Sequence, residues 1–158
     1  MAGSLHLRPP TRADLPAMMA LFHASVHAAT AADYDARQRA AWAPADPDPG
    51  RWQRRLEEQQ ARIAERADAL AGFCTWTQEG YLDLLYVHPG HLRHGVATAL
   101  CAAAMSDLRA RGVTRIHTQA SLTAQPFFLR RGFRLVRSQT VHVRGVDLPN
   151  AVMEKSLA

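Results

Sequence analysis

The chain has 158 residues, of which 47% are apolar and 21% are charged, and its formal net charge is +5. These values are typical of a globular protein that buries a core of its own, and we expect one domain over residues 1–158. They exclude a membrane-spanning protein, because the longest apolar stretch, residues 96–105, is too short to cross a bilayer.

The N-terminus and the cysteines indicate a cytoplasmic location. The first ten residues, MAGSLHLRPP, lack the basic start and the long apolar stretch of a signal peptide. Cys74 and Cys101 each lie inside an apolar run and outside any C-x-x-C spacing, so we predict two buried free thiols. Free thiols agree with a reducing compartment.

The charge is distributed unevenly along the chain. Residues 1–91 contain 9 Lys or Arg against 11 Asp or Glu, whereas residues 92–158 contain 10 against 3. A basic half suits a polyanion, a nucleotide or a phosphorylated cofactor, and a mildly acidic half suits a neutral or cationic partner. A generally arginine-rich surface explains the counts equally well, so charge alone does not fix the function.

Strand and helix patterns alternate along the chain. Strands are predicted by alternation or short apolar runs at 5–8, 61–67, 69–78, 80–89, 113–121, 133–145 and 146–157. Helices are predicted near 15–26, 33–42, 51–60, 93–111 and 124–131. The proline-rich segment 43–50 is predicted to be irregular. This order predicts a mixed α/β (α+β) fold with a central sheet.

A loop with two glycines, HPGHLRHGVATALC at 88–101, leads from a predicted strand into the long helix. A helix N-terminus exposes unpaired N–H groups and positive partial charge, so we expect this loop to bind phosphate. A P-loop is excluded because Val96 and Ala97 occupy the positions of its lysine and hydroxyl. A dinucleotide fingerprint is excluded because only one of its glycines can be placed.

Three segments together resemble one known family. Residues 92–97, LRHGVA, resemble the pyrophosphate loop Gln/Arg-x-x-Gly-x-Gly/Ala of the Gcn5-related N-acetyltransferases (GNAT), with Leu92 at the Gln/Arg position. LDLLYVHP at 82–89 resembles the family's fourth strand, and residues 120–136 resemble its following segment. The order and spacing also match, and the tail resembles a bacterial subfamily of acetyltransferases.

The resemblance implies a specific version of the mixed fold. It implies a central sheet of about seven strands, in which an antiparallel meander is followed by a parallel pair that splays apart at strands 4 and 5. About four helices would flank this sheet.

The resemblance also implies acetyl-CoA as the cofactor, with CoA as the product. The residues implied to bind it are Leu85, Tyr86 and Val87 along the pantetheine arm, Arg93, His94, Gly95, Val96, Ala97, Thr98 and Arg131 at the phosphates, and Ser121 and Phe128. Ser121 and Phe128 stand where many family members have Asn and Tyr. Phe128 has no proton to give to the leaving thiolate, so a general acid is not assigned, and Tyr86 or water is considered for that role.

The implied reaction is acetyl transfer to a primary amine of a small molecule or a protein, by direct attack in a ternary complex. The amine must lose a proton, for which Asp83 is the first candidate base and Tyr34 and His142 are weaker ones. The acidic residues of the first half, Asp33, Asp35, Glu79 and Asp83, are considered as a field that attracts a cation.

Other functions are weighed beside this one. A CoA-binding sensor or interaction module that has lost the chemistry is the main alternative. Nucleic-acid binding is not expected, because no helix-turn-helix pattern and no basic run are present. No metal site is expected, because His88, His91 and His94 cross a Pro-Gly turn without a carboxylate or cysteine nearby. A homodimer through the C-terminal VMEKSL strand is considered.

Overall fold

The computed structural model describes residues 4–158. Its strands are β1 (Leu5–Arg8), β2 (Gln60–Arg66), β3 (Ala69–Trp76), β4 (Tyr81–Val87), β5 (Arg115–Ser121), β6 (Arg134–Val143) and β7 (Val146–Ser156). Its helices are α1 (Leu15–Ala29), α2 (Ala36–Trp42), α3 (Pro49–Glu58), α4 (Val96–Ala110) and α5 (Gln125–Arg130). The mixed α/β fold is confirmed, with five helices rather than about four.

The strands form one seven-stranded sheet in the order β1-β2-β3-β4-β5-β7-β6. Every neighbouring pair is antiparallel except β4 and β5, which are parallel. The predicted meander followed by a parallel pair is therefore confirmed. Because β7 lies between β5 and β6, the VMEKSL strand has no free edge to offer a second copy, and that route to a homodimer is wrong.

The parallel pairing between β4 and β5 ends early. Only Tyr81 with His117 and Leu82 with Thr118 are in register. The Thr118 hydroxyl donates a hydrogen bond to the Leu82 carbonyl at 2.8 Å, at the last paired position. Beyond this point the strands separate, so the second half of β4 has an unpaired backbone edge.

A β-bulge in β4 changes which side chains face each side of the sheet. Trp76 pairs with Leu82 and Thr75 pairs with Leu84, so Asp83 is the extra residue. As a result Leu82 packs into the core under α4, whereas Leu84 packs into the core on the opposite face. Asp83 and Leu84 both line the cavity on that opposite face.

The two faces of the sheet have separate cores. On one face α4 buries Leu100 and Leu108 completely. On the other face α1 and α3 cover the sheet with Met18 and Trp52 among the buried residues. The cavity described below lies on the face of α1 and α3. Among residues 4–158, no helix is both long and apolar enough to cross a membrane.

Two predicted helix boundaries are wrong. The helix predicted from Arg93 begins at Val96, because Arg93 and Gly95 have φ angles of 65° and 76°, which a right-handed helix does not allow. The segment 43–50 is predicted to be irregular, but its last two residues belong to α3. There the Asp48 carboxylate accepts the Gly50 N–H at 3.0 Å and caps the helix.

Both cysteines are free and buried, as predicted. Burial raises the pKa of the Cys74 thiol well above its ordinary value and that of Cys101 to about 11. We therefore expect neither thiol to react with the disulfide reagent DTNB in the folded protein at pH 8, and both to react in urea. Absorbance at 412 nm checks this, and rapid reaction of a folded-state thiol would contradict the burial.

Gly72 allows β3, β4 and α4 to pack closely. A Cβ at this position would lie 2.8 Å from the Tyr86 carbonyl oxygen and 2.8 Å from Val96 Cγ1. We expect Gly72→Ala to lower the free energy of unfolding by about 2 kcal/mol, measured by urea denaturation. The matched control is Gly50→Ala in α3, where the new Cβ meets only ordinary contacts at 3.4 Å. A loss in the control as large as in Gly72→Ala would contradict this account.

Candidate active site

The loop before α4 presents free backbone donors to solvent. Gly95 is the N-cap of α4, and a Cβ there would meet nothing within 4 Å. The first backbone bond of the helix joins the Ala99 N–H to the Gly95 carbonyl at 3.0 Å. The N–H groups of Val96, Ala97 and Thr98 are therefore not used by the helix, and together with the positive helix end they can bind an anion.

The side chains of this loop divide into exposed and buried ones. Arg93, His94 and Gly95 are exposed, so they can reach a ligand. Val96 is 2% exposed and packs into the core, so only its backbone is available. The predicted phosphate-binding residues 93–98 thus lie together at one helix end, whereas Arg131 lies at the end of α5. Their contact with a cofactor stays a prediction.

The neighbouring histidines make contacts within the loop. His88 Nδ1 accepts the Gly90 N–H at 3.0 Å, and His91 Nδ1 lies 3.1 Å from Arg66 Nη1. Burial and the charge of Arg66 lower the pKa of His91. Among residues 4–158, no group of three or more His, Cys, Asp or Glu side chains is arranged to hold a metal ion.

The pantetheine-binding residues predicted on β4 lie on its unpaired half. Leu85 and Val87 pack toward the core under α4, while Tyr86 faces the opposite side. The Tyr86 ring contacts Phe22 at a centroid distance of 4.8 Å and Phe73 at 5.9 Å. Burial raises the pKa of the Tyr86 phenol, and a hydrogen bond from Trp42 partly offsets this rise, so the phenol stays protonated at neutral pH.

A cavity of about 380 Å³ lies on the face of α1 and α3, beside the separation of β4 and β5. Its aromatic and polar lining residues come from α1, α2, α3 and the segments between them, from β4 and β5, and from β7 and the turn before it. The main lining residues are Met19, Phe22, His23, Tyr34, Trp42, Asp48, Arg51, Trp52, Arg55, Tyr81, Asp83, Leu84, Tyr86, Gln119, Ser121, Arg144, Leu148 and Asn150. Of the predicted site residues, Tyr34, Asp83, Tyr86 and Ser121 are brought together here.

Asp83 lies in the cavity wall but holds an ion pair. Its Oδ2 is 2.7 Å from Arg55 Nε and 2.8 Å from the Gln59 side-chain amide nitrogen. The Asp83 side chain is only 9% exposed. Both of these donors already occupy the carboxylate, so the predicted role of Asp83 as base requires this ion pair to loosen. That role stays a prediction.

Tyr34 connects three segments of the chain. Its hydroxyl donates to the Pro149 carbonyl at 2.5 Å and accepts the Leu122 N–H at 2.9 Å. Burial raises the pKa of this phenol, which makes it a poor base at neutral pH. The weaker candidate His142 lies outside the cavity lining and forms an exposed pair with Asp147 at 2.8 Å.

The other predicted contacts lie away from the cavity. Phe128 is 3% exposed and packs in the core against Phe127 and Phe133, at centroid distances of 5.2 and 4.9 Å. The Arg131 guanidinium lies 5.5 Å from the centre of the Phe127 ring. The Arg131 Nε is buried without a hydrogen-bond partner among residues 4–158. Ser121, by contrast, lines the cavity, and its Oγ accepts the Ala124 N–H at 3.1 Å.

The acidic residues considered as a cation-attracting field have separate local partners. Asp33 accepts the Thr123 hydroxyl at 2.7 Å, and Asp35 caps α2 by accepting the Gln38 N–H at 2.8 Å. Neither these two residues nor Glu79 lines the cavity, and Asp83, which does, is paired with Arg55. Attraction of a cation by these four residues stays a prediction.

The arginines that line the cavity are not among the site residues predicted from the sequence. Arg51 and Arg55 are four positions apart on α3, which places them on one helix face, and that spacing was an available signal. Arg144 comes from the turn between β6 and β7, more than 50 residues after β4, and no local pattern connects it with the cavity.

Comparisons with known proteins agree with this geometry. The family model of the acetyltransferase (GNAT) domain matches residues 30–157. The uncharacterized N-acetyltransferase YafP of Escherichia coli strain K12 is 31% identical over 151 residues, which cover 96% of this chain and 95% of the relative. The chain therefore belongs to the GNAT N-acetyltransferase family.

Solved structures show the same fold. A GCN5-related N-acetyltransferase from Rhodopseudomonas palustris has 34% identity and a TM-score of 0.94, over 99% of this chain and 98% of that one. The PaiA N-acetyltransferase from Thermoplasma acidophilum, solved in complex with coenzyme A, has 16% identity and a TM-score of 0.78, over 97% and 99% of the two chains. The second likeness is one of fold alone.

We expect the Tyr34 hydroxyl to stabilise the protein. Tyr34→Phe leaves the Leu122 N–H and the Pro149 carbonyl without this partner, and should lower the free energy of unfolding by about 1–3 kcal/mol in urea denaturation. Tyr81→Phe is the matched control, because no hydrogen bond of the Tyr81 hydroxyl is found among residues 4–158. Equal stability of Tyr34→Phe and the wild type would show that the hydroxyl is dispensable.

Proposed function

We propose that this chain transfers the acetyl group of acetyl-CoA to a primary amine of a small molecule or a protein, by direct attack in a ternary complex. One observation carries the proposal. The unpaired half of β4 separates from β5 next to an aromatic cavity, and the loop that follows β4 ends at the anion-binding N-terminus of α4. A cofactor at the helix end and an amine in the cavity would thus meet along β4.

The free donors at the start of α4 would bind the cofactor diphosphate. The helix leaves the N–H groups of residues 96–98 unused, these and the N–H groups of residues 94 and 95 would bind the diphosphate, and Arg93 adds a charge that can pair with phosphate. Arg131 and Arg130 lie at the end of α5 and are further phosphate partners in this proposal. The PaiA structure with coenzyme A supports the choice of cofactor, because that protein has the same fold.

The pantetheine arm would follow the unpaired edge of β4. A chain of amides can form hydrogen bonds with the backbone of Leu85, Tyr86 and Val87, as a further strand would. An N–H group of this edge would hold the thioester oxygen as negative charge develops on it. Acetyl-CoA supplies the acetyl group, and the chain orients it toward the cavity.

The reaction forms a bond between the amine nitrogen and the acetyl carbon and breaks the bond between that carbon and the CoA sulfur. The amine must be neutral, so its proton goes to Asp83 or to water at the cavity. CoA leaves as a thiolate, which with a thiol pKa of about 8.5 can depart without an acid, or it takes the proton of Tyr86. Phe128 has no proton to give.

A CoA-binding sensor of the same fold is the second candidate function. It is favoured by the ion pair that occupies Asp83 and by the buried Phe128, which together leave the cavity without an obvious free base or the family's usual acid. Turnover separates the two functions, because a sensor binds acetyl-CoA without releasing CoA in the presence of amines.

For either function, the proposal includes a cytoplasmic location and a single domain.

The affinity for the cofactor tests whether the N-terminus of α4 binds the diphosphate. We expect isothermal titration to show micromolar binding of CoA and acetyl-CoA, and Gly95→Glu to weaken it at least about tenfold, because the new carboxylate would repel the diphosphate. Gly112→Glu is the matched control at the other end of α4, with a φ of 77° against 76° and an equally open surrounding. Equal affinity of the two variants would place the cofactor elsewhere.

The role of Asp83 is tested by a pair of variants. If Asp83 is the base, Asp83→Asn should lower kcat/KM at least about a hundredfold. Arg55→Gln frees the carboxylate and should keep most of kcat/KM. If both variants lose stability in urea while kcat is unchanged, Asp83 only holds Arg55, and water takes the proton.

A further inference from the structure

The cationic groups of the cavity are not balanced by acids. Three arginines line it, Arg51 and Arg55 from α3 and Arg144 from the turn after β6, against the two aspartates Asp48 and Asp83. Arg55 is neutralised by Asp83. Among residues 4–158, Arg51 and Arg144 form no salt bridge, and the one side-chain hydrogen bond of Arg144 is its donation to the Ala41 carbonyl at 2.7 Å.

The remaining acid, Asp48, forms no salt bridge with either of these two guanidinium groups among residues 4–158. The Asp48 carboxylate caps α3 and accepts the Gly50 N–H, and its side chain is exposed to water. His23, the other titratable base in the lining, packs against His27 at a ring distance of 4.2 Å. The cavity therefore keeps two guanidinium groups, from two separate elements, with no carboxylate of this chain to bind.

The walls between these charges are aromatic. The rings of Phe22, Tyr34, Trp42, Trp52, Tyr81 and Tyr86 line the cavity. Edge-to-face contacts fix them against one another, with centroid distances of 5.0 Å from Phe22 to Trp52 and 5.3 Å from Tyr34 to Trp42. Fixed aromatic walls suit a flat apolar body.

A second cationic group on the acceptor is disfavoured. Aromatic faces attract an ammonium ion, but a carboxylate is needed to compensate its charge when water is removed. Asp83 is already paired, and Arg51 and Arg144 would repel a second ammonium. An anionic group on the acceptor is favoured instead, because guanidinium groups bind carboxylates through two parallel hydrogen bonds.

We propose that the acceptor is a primary amine on a flat apolar body that also carries a carboxylate, which Arg51 and Arg144 bind. This inference rests on the proposed acetyl transfer and names the substrate class of that same cavity. The amine points toward the separation of β4 and β5, and the carboxylate stays at the arginines. The arginines act on affinity for the acceptor and take no part in the chemical step.

Four probes on one benzyl framework test the inference. They are 4-(aminomethyl)benzoate, its neutral counterpart 4-(aminomethyl)benzamide, 4-methylbenzylamine, and the diamine 1,4-bis(aminomethyl)benzene. Release of CoA is followed with each probe at saturating acetyl-CoA. The expected result is a kcat/KM for the benzoate at least about tenfold above that of the benzamide, through a lower KM, with the diamine the poorest per amine.

Variants identify the groups responsible. The double variant Arg51→Gln, Arg144→Gln should bring the ratio of the benzoate to the benzamide close to one, by raising only the KM of the benzoate. Arg144→Lys keeps the charge and should keep part of the ratio, which separates charge from folding. Arg54→Gln is the matched control, since Arg54 is exposed on α3 and lies outside the cavity lining.

Each contrary result has a defined meaning. A benzamide or a diamine that is used as well as the benzoate overturns the inference while leaving acetyl transfer intact. So does a preference for the benzoate that survives in the double variant. Binding of acetyl-CoA without turnover of any probe also overturns it. Absence of acetyl-CoA binding by isothermal titration removes the proposed function itself, and the inference with it.

Discussion

The early end of the pairing between β4 and β5 is the constraint on which the site depends. Two residue pairs hold the strands together, and beyond them the edge of β4 that faces β5 has no partner strand among residues 4–158, while its other edge stays paired with β3. A sheet that stayed paired would close the space that the cavity, the unpaired edge and the loop before α4 share. The same separation brings residues from the N-terminal helices and from the last two strands to one cavity.

The β-bulge at Asp83 is a second feature of β4 that shapes the cavity. It places a charged residue and Leu84 on the same side of the sheet, and the charge is then compensated by Arg55 and Gln59. The ion pair accounts for one arginine of α3 and leaves the other arginines of the cavity without an acid. The bulge thus decides which arginine of the cavity is paired with an acid.

The order of the strands and helices along the chain and the loop before α4 could be predicted from the sequence because both have local signals. Alternation, turn residues and Gly95 before an apolar run are visible in short windows. The bulge has no clear local signal, because Leu82 and Leu84 keep the spacing of a regular strand although they face opposite sides of the sheet. The pairing of Asp83 with Arg55 joins residues 28 positions apart, and Arg144 reaches the cavity only through the sheet order, so neither could be predicted from a local pattern.

Hydrogen–deuterium exchange of the full chain with and without acetyl-CoA tests the central claim most directly. The account predicts slower exchange in two segments, 85–87 on the open edge of β4 and 94–98 at the start of α4, and unchanged exchange along the outer edge of β6. Protection of β6 or of α2 without protection of those two segments would contradict a cofactor bound between the separated strands.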